Sequence, residues 1–198
     1  MIEYVIHRVN EIEKLRKVAS KYGTEIDIRA YGSELILNHE PFQAGDRLVD
    51  FLAEYEHGLL VLNIKEAGIE DEVIRLVKSY GIKNYFLLDC EFPYIYRASR
   101  QGVQNIAMRY SEDEAIETVL NYKSKVNWVW IDTNTRLPLN DQIIGQLEGL
   151  ENCLVCPERW GRPQDIFKYA QEMIKLNFKP TAIMTSLDCV STWEKAWE

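Results

Sequence analysis

The sequence predicts an α/β fold, a compact (β/α)8 TIM barrel spanning 1–198 as a single domain. Short apolar runs alternate with amphipathic stretches along the whole chain, and eight strand positions can be counted if the hairpin near residue 30 is taken as one. No linker, low-complexity run or internal repeat interrupts the alternation. An open doubly wound sheet is the rival architecture. It would ordinarily carry a glycine-rich phosphate loop after its first strand, where this chain has His7-Arg8-Val9-Asn10. At 198 residues the chain lies near the lower size limit of such barrels, so trimmed connections and no separate lid are expected.

Residues 4–7 read as the first strand. Residues 11–22 read as the helix after it, with Ile12, Leu15, Val18 and Ala19 as its stripe and Gly23 as its stop. Residues 24–29 form the second strand, Tyr31-Gly32-Ser33 a turn, and 35–38 a returning strand that delivers His39. Helical spacing then covers 46–55, followed by a strand at 59–65, a helix at 69–80 stopped at Gly81, and a strand at 85–89. A helix over 94–101 and a strand over 106–109 follow. Ser111-Glu112-Asp113-Glu114 reads as a capping box that opens a helix through Tyr122. Strands are expected at 128–132, 154–156 and 182–185, and helices at 139–147 and 163–176, the latter with Pro163 at its first position. Trp193 and Trp197, four residues apart in the tail, are expected to pin a terminal helix.

The net charge of −8 argues against a protein that reads nucleic-acid backbones and against an anionic membrane surface. No basic leader and no apolar run long enough to insert into a membrane are visible, so a soluble cytoplasmic protein is expected. The four cysteines, Cys90, Cys153, Cys156 and Cys189, are expected to be free thiols. A strand through Cys153 and Cys156 sends their sulfurs to opposite faces, and no second pair has zinc spacing.

Glu25, Asp27 and Arg29 share the parity of one strand, with Ile26 and Ile28 on the other face. Three charges on the inner face of a buried strand cost several kcal/mol unless they pair or hold a metal. A polar hairpin with a local ion pair would also account for them. Reading the strand ends adds His7, Asn63, Lys65, Asp89, Arg109, Asp132, Glu158 and Thr185, and barrel active sites lie at that end. Two of the three histidines, His7 and His39, flank the Glu-x-Asp pair, whereas His57 falls on the opposite rim. Trp128 and Trp130 share a strand face and read as packing, while Trp160 in Pro157-Glu158-Arg159-Trp160 is placed to stack on a sugar ring or apolar head group.

His7-Arg8, then Glu25-x-Asp27, then His39-Glu40, then Asn63-x-Lys65 resembles the glycerophosphodiester phosphodiesterase family of phospholipase-like TIM barrels, in order and in spacing. The resemblance implies a phosphoric diester hydrolase or transferase acting on a small glycerophospho- or sugar-phosphodiester, with His7 and His39 as the acid/base pair. It implies a divalent cation, Mg or Ca, on Glu25, Asp27 and Asn63, and phosphate on Lys65; Arg8, Arg29, Arg109 and Trp160 are expected to support the substrate. The chemistry agrees, since phosphodiester transfer needs proton traffic at both attacking and leaving oxygens and a cation to offset the phosphoryl charge. Three departures mark a divergent member: Val9 replaces a glycine, Asn63 replaces the third acidic ligand, and Glu40 replaces an aspartate. The Val9 and Asn63 departures favour an alternative, a degenerate non-catalytic barrel that binds a phosphorylated metabolite or carbohydrate.

Overall fold

The computed structural model describes residues 1–198, which divide into two compact units, one of Val5–Ile106 and one of Met1–Tyr4 with Ala107–Glu198. The first unit contains the end of β1 (Glu3–Ile6), α1 (Ile12–Leu15), β2 (Gly23–Tyr31), β3 (Glu34–Leu37), β4 (Asp46–Arg47), α2 (Leu48–Ala53), β5 (Leu60–Ile64), α3 (Glu70–Ser79), β6 (Tyr85–Leu88) and α4 (Phe92–Arg100). Val5 and Ile6 pair in parallel with the start of β2, β2 with β5, and β5 with β6; Leu87 bridges to Ile106. The runs Leu60–Ile64 and Tyr85–Leu88 are buried on both faces, as parallel strands under helices must be. Beyond the end of β1, β3 pairs antiparallel with β2 and carries β4 on its outer side.

The second unit runs β7 (Ala107–Tyr110), α5 (Ile116–Tyr122), β8 (Trp128–Ile131), α6 (Asp141–Leu147), β9 (Glu151–Val155), α7 (Ile166–Lys175), β10 (Ala182–Thr185) and α8 (Val190–Ala196). Its strands pair in parallel in chain order, and the Glu3 amide donates to the Thr181 carbonyl beside β10. The strand–helix alternation is the predicted one. The cysteines are free, with Cys153 and Cys156 buried.

Four local expectations are corrected. The first helix is a single turn, because the Ile12 amide is held by Asp46 Oδ2 at 2.7 Å and the chain after Leu15 leaves the helix to bury Val18. Gly23 is not a helix stop but opens β2; a Cβ there would lie 2.3 Å from the Leu59 carbonyl oxygen, so only glycine allows this approach. The helix read from residue 46 begins at Leu48, since Asp46 and Arg47 are spent pairing with β3. The capping box at Ser111 does not open a helix. Arg109 Nε takes Glu114 Oε1 at 2.7 Å, Ser111 Oγ accepts from the Asp113 amide, and α5 starts only at Ile116. His57 is partly buried, with Nε2 2.9 Å from the Val18 carbonyl oxygen.

Candidate active site

β2 sends Glu25 and Asp27 to one face, both nearly inaccessible, and the wholly buried Ile26 and Ile28 to the other. Its parallel register with β5 sets Asp27 directly beside Asn63. Lys65 follows on the same parity, its amide still donating to the Ile28 carbonyl. At the end of β1 the positive φ falls on Arg8 (54°), not on Val9, which is buried. Valine is therefore tolerated where the family pattern has glycine, and the turn aims the Arg8 amide at Glu25 Oε2, 2.8 Å away, while the Arg8 side chain is exposed.

The contacts join most of the predicted set. His7 Nε2 lies 3.9 Å from Glu25 Oε2, and Asn63 Nδ2 donates to Glu25 Oε1 at 2.8 Å. Asn10, which the sequence reading passed over, grips Asp27 twice: its Nδ2 donates to Oδ2 and its Oδ1 accepts from the Asp27 amide, each at 2.8 Å. Lys65 Nζ sits 3.1 Å from Asp27 Oδ1 and 3.6 Å from Asp89 Oδ2. Asp89 adopts a left-handed backbone (φ 58°) at the end of β6, a conformation that no sequence periodicity announces.

Burial, then the neighbouring Asp27 charge, pushes the Glu25 carboxyl up to about 7, against the hydrogen bonds from Asn63 and Arg8 and the charge of Lys65. A carboxyl raised from its ordinary value of 4.5 is penalised only when ionised. Its contribution in the metal-free protein is therefore fully favourable below about pH 4.5 and is lost as pH rises through about 7. The loss should be on the order of 3 kcal/mol. Urea midpoints measured from pH 4.5 to 8 should fall accordingly, and Glu25→Gln should remove most of that slope; equal slopes in the two proteins would place the charge penalty elsewhere.

His39 follows β3, and its Nδ1 lies 2.6 Å from Glu40 Oε1, a carboxylate that favours the proton on Nδ1 and leaves Nε2 as the ring's acceptor. The glutamate in place of the family's aspartate thus still reaches the ring. Arg29 does not extend into open space. Its Nε and Nη2 donate to the His39 carbonyl oxygen at 3.2 and 2.9 Å, and its Nη1 to the Lys65 carbonyl oxygen at 3.3 Å. Glu66 is held by the hairpin, its Oε1 accepting from the Ala30 amide.

Arg109 and Trp160 belong to the second unit. Arg109 is engaged by two carboxylates there, Glu114 and Asp132, and Asp132 also accepts from Trp130 Nε1 at 3.1 Å. Trp160 is half exposed, with the Arg159 guanidinium 5.5 Å from its ring. Trp128 and Trp130 are buried, as packing residues should be.

No three of the histidine, cysteine, aspartate and glutamate side chains gather as a metal-binding group. The donor set nevertheless fits a hard cation. Asp27 Oδ1 and Asn63 Oδ1, on adjacent strands, are buried oxygens without a hydrogen bond, since the Lys65 contact is an ion pair without hydrogen-bond alignment. Two carboxylates and an amide oxygen are ligands that Mg²⁺ and Ca²⁺ accept. No helix is long and apolar enough to cross a membrane.

No family model matches the sequence, and no curated protein matches it. Among solved structures, a glycerophosphodiester phosphodiesterase from Agrobacterium tumefaciens superposes with a TM-score of 0.69 at 14% identity, covering 98% of this chain and 100% of that one. A phosphodiesterase from Oleispira antarctica, in complex with the product sn-glycerol-3-phosphate, gives a TM-score of 0.60 at 14% identity, covering 98% and 96%. The likeness shows the fold: the chain has that of the glycerophosphodiester phosphodiesterases, a (β/α)8 barrel.

Proposed function

We propose that this chain is a phosphodiester hydrolase or transferase acting on a small glycerophospho- or sugar-phosphodiester in the cytoplasm. The observation that carries the proposal is the buried Glu25–Asp27 pair, bordered by Lys65 and by His7, with two oxygens, Asp27 Oδ1 and Asn63 Oδ1, left without hydrogen bonds. The shared fold supports it, and so does the product bound by the Oleispira antarctica protein. Glu25, Asp27 and Asn63 would hold Mg²⁺ or Ca²⁺, which supplies charge to offset the phosphoryl oxygens. Lys65 adds a fixed positive charge at the same strand ends. His39, oriented through Nδ1 by Glu40, and His7, beside Glu25, move protons to and from the attacking and leaving oxygens. Arg8, with its exposed side chain, is a further contact for the substrate.

A second reading rests on one observation. Asn63 donates to Glu25 and Lys65 pairs with Asp27, so the carboxylates already have partners without a metal, as a barrel that binds phosphorylated compounds without turning them over would need. Turnover of a panel of glycerophosphodiesters and sugar phosphodiesters, with and without Mg²⁺ or Ca²⁺, separates the two; hydrolysis of none, with retained binding of phosphate compounds, would establish the binder. The cation itself is tested by calorimetry on the wild type and Asn63→Asp. The added carboxylate is expected to tighten binding by about tenfold or more, because ligand charge sets affinity for hard cations. It should also destabilise the metal-free protein, since it ends the donation to Glu25 and adds a third negative charge. Unchanged affinity would remove Asn63 from the cation's ligands.

A further inference from the structure

We infer that Arg29 is a positioning residue, which sets the backbone of the two segments that carry His39 and Lys65 and does not bind the phosphate itself; this rests on the function proposed above. Arg29 lies where β2 outruns β5: the Ile28–Ile64 pair is the last of their register, and Arg29 pairs only with Ile36 of β3. The backbone beyond that point is not held by a continuous ladder on both sides. The guanidinium fills the gap, with two N–H groups on the His39 carbonyl and one on the Lys65 carbonyl, and it is mostly buried. Glu66 completes the arrangement, with Oε2 3.8 Å from Arg29 Nη1 and Oε1 accepting from the Ala30 amide on the same stretch of β2.

The demand is for a planar fork. Two carbonyls belonging to different segments accept three N–H groups from one rigid group, which a lysine ammonium on a flexible stem does not reproduce. Three of the five guanidinium N–H donors are spent in this way, which leaves little for a phosphate. The other ties on the loop after β3 do not reach the Lys65 segment: the Asn38 amide donates to the Asp27 carbonyl of β2, Asn38 Nδ2 to the Ala44 carbonyl, and the Glu40 amide to Asn38 Oδ1. Arg29 is thus a direct side-chain link between the segments of His39 and Lys65, and loss of it would let the imidazole and the ammonium shift relative to each other. A misplacement of about 1 Å costs turnover about 10²-fold without a matching loss of binding.

The test uses the full chain with a glycerophosphodiester that the wild type turns over. Arg29→Ala and Arg29→Lys are both expected to lower kcat by about 10- to 100-fold with KM and inhibition by inorganic phosphate little changed, and guanidinium ion added to Arg29→Ala should recover part of the loss. The His39 imidazole resonance should broaden or split in both variants. A raised KM with kcat intact and weaker phosphate inhibition, or near-complete function in Arg29→Lys, would make Arg29 a phosphate ligand and overturn the inference. The His39 resonance decides the matter independently of activity. If the wild type hydrolyses no diester, the proposed function falls, yet an unaltered His39 signal in both variants is still what overturns the positioning role.

Discussion

Alanine at His7 or at His39 is expected to lower phosphodiester turnover by about 10²-fold or more, with melting temperature and affinity for phosphate compounds little changed. Neither ring is a packing element. The His7 side chain is 19% exposed and that of His39 35% exposed, so the space left by truncation is open to solvent rather than enclosed in the core. Under the proposed function each would carry a different half of the proton traffic: His39 is oriented by Glu40 at 2.6 Å, whereas His7 stands 3.9 Å from a carboxyl that burial pushes up to about 7. If one ring removes a proton as the other delivers one, the double variant loses much less than the product of the single losses, because groups that act as a unit are not additive. Glu40→Gln should cost less than His39→Ala, since the imidazole remains and only its orientation and tautomer are loosened. Single variants that turn over substrate at wild-type rates would end the acid/base assignment while leaving the fold and the Lys65 site intact.

Trp193→Ala should destabilise the protein by about 3–5 kcal/mol, the largest stability effect expected from a single substitution here. Trp193 is wholly buried in α8, which packs on α7, whose inner face is Ile166, Tyr169, Ala170 and Met173. The indole can be replaced more cheaply by another ring than by a methyl group. Its Nε1 is buried without a hydrogen-bond partner, so Trp193→Phe sheds that unpaired donor while keeping most of the apolar contact. Urea midpoints for the two variants measure the difference. A loss below about 1 kcal/mol for Trp193→Ala would mean that α8 is not docked as described.

The strand–helix alternation, the buried parity of Ile26 and Ile28 and the packing role of Trp193 were all set by the sequence itself, because hydrophobic periodicity is a local property that a 3.6- or 2-residue repeat reports directly. The candidate site residues were legible for a related reason: Glu25 and Asp27 alternate with Ile26 and Ile28 within β2, and His7, His39 and Lys65 stand just past the ends of β1, β3 and β5, where polar side chains interrupt apolar runs. Partners were not legible. That Asn10 grips Asp27, that Asp89 faces Lys65, and that Arg29 bonds to the backbone of His39 and Lys65 depend on contacts across 17, 24, 10 and 36 positions of chain, which no local pattern encodes. The same competition overrode local signals that looked clear. The capping box at Ser111 lost its glutamate to Arg109, the first helix lost its second turn to the burial of Val18, and Gly23 became a strand residue because Leu59 passes too close for any side chain. Local propensity amounts to a few tenths of a kcal/mol to about 1 kcal/mol per residue, so one hydrogen-bonded ion pair, one core side chain or one steric contact is enough to reverse it.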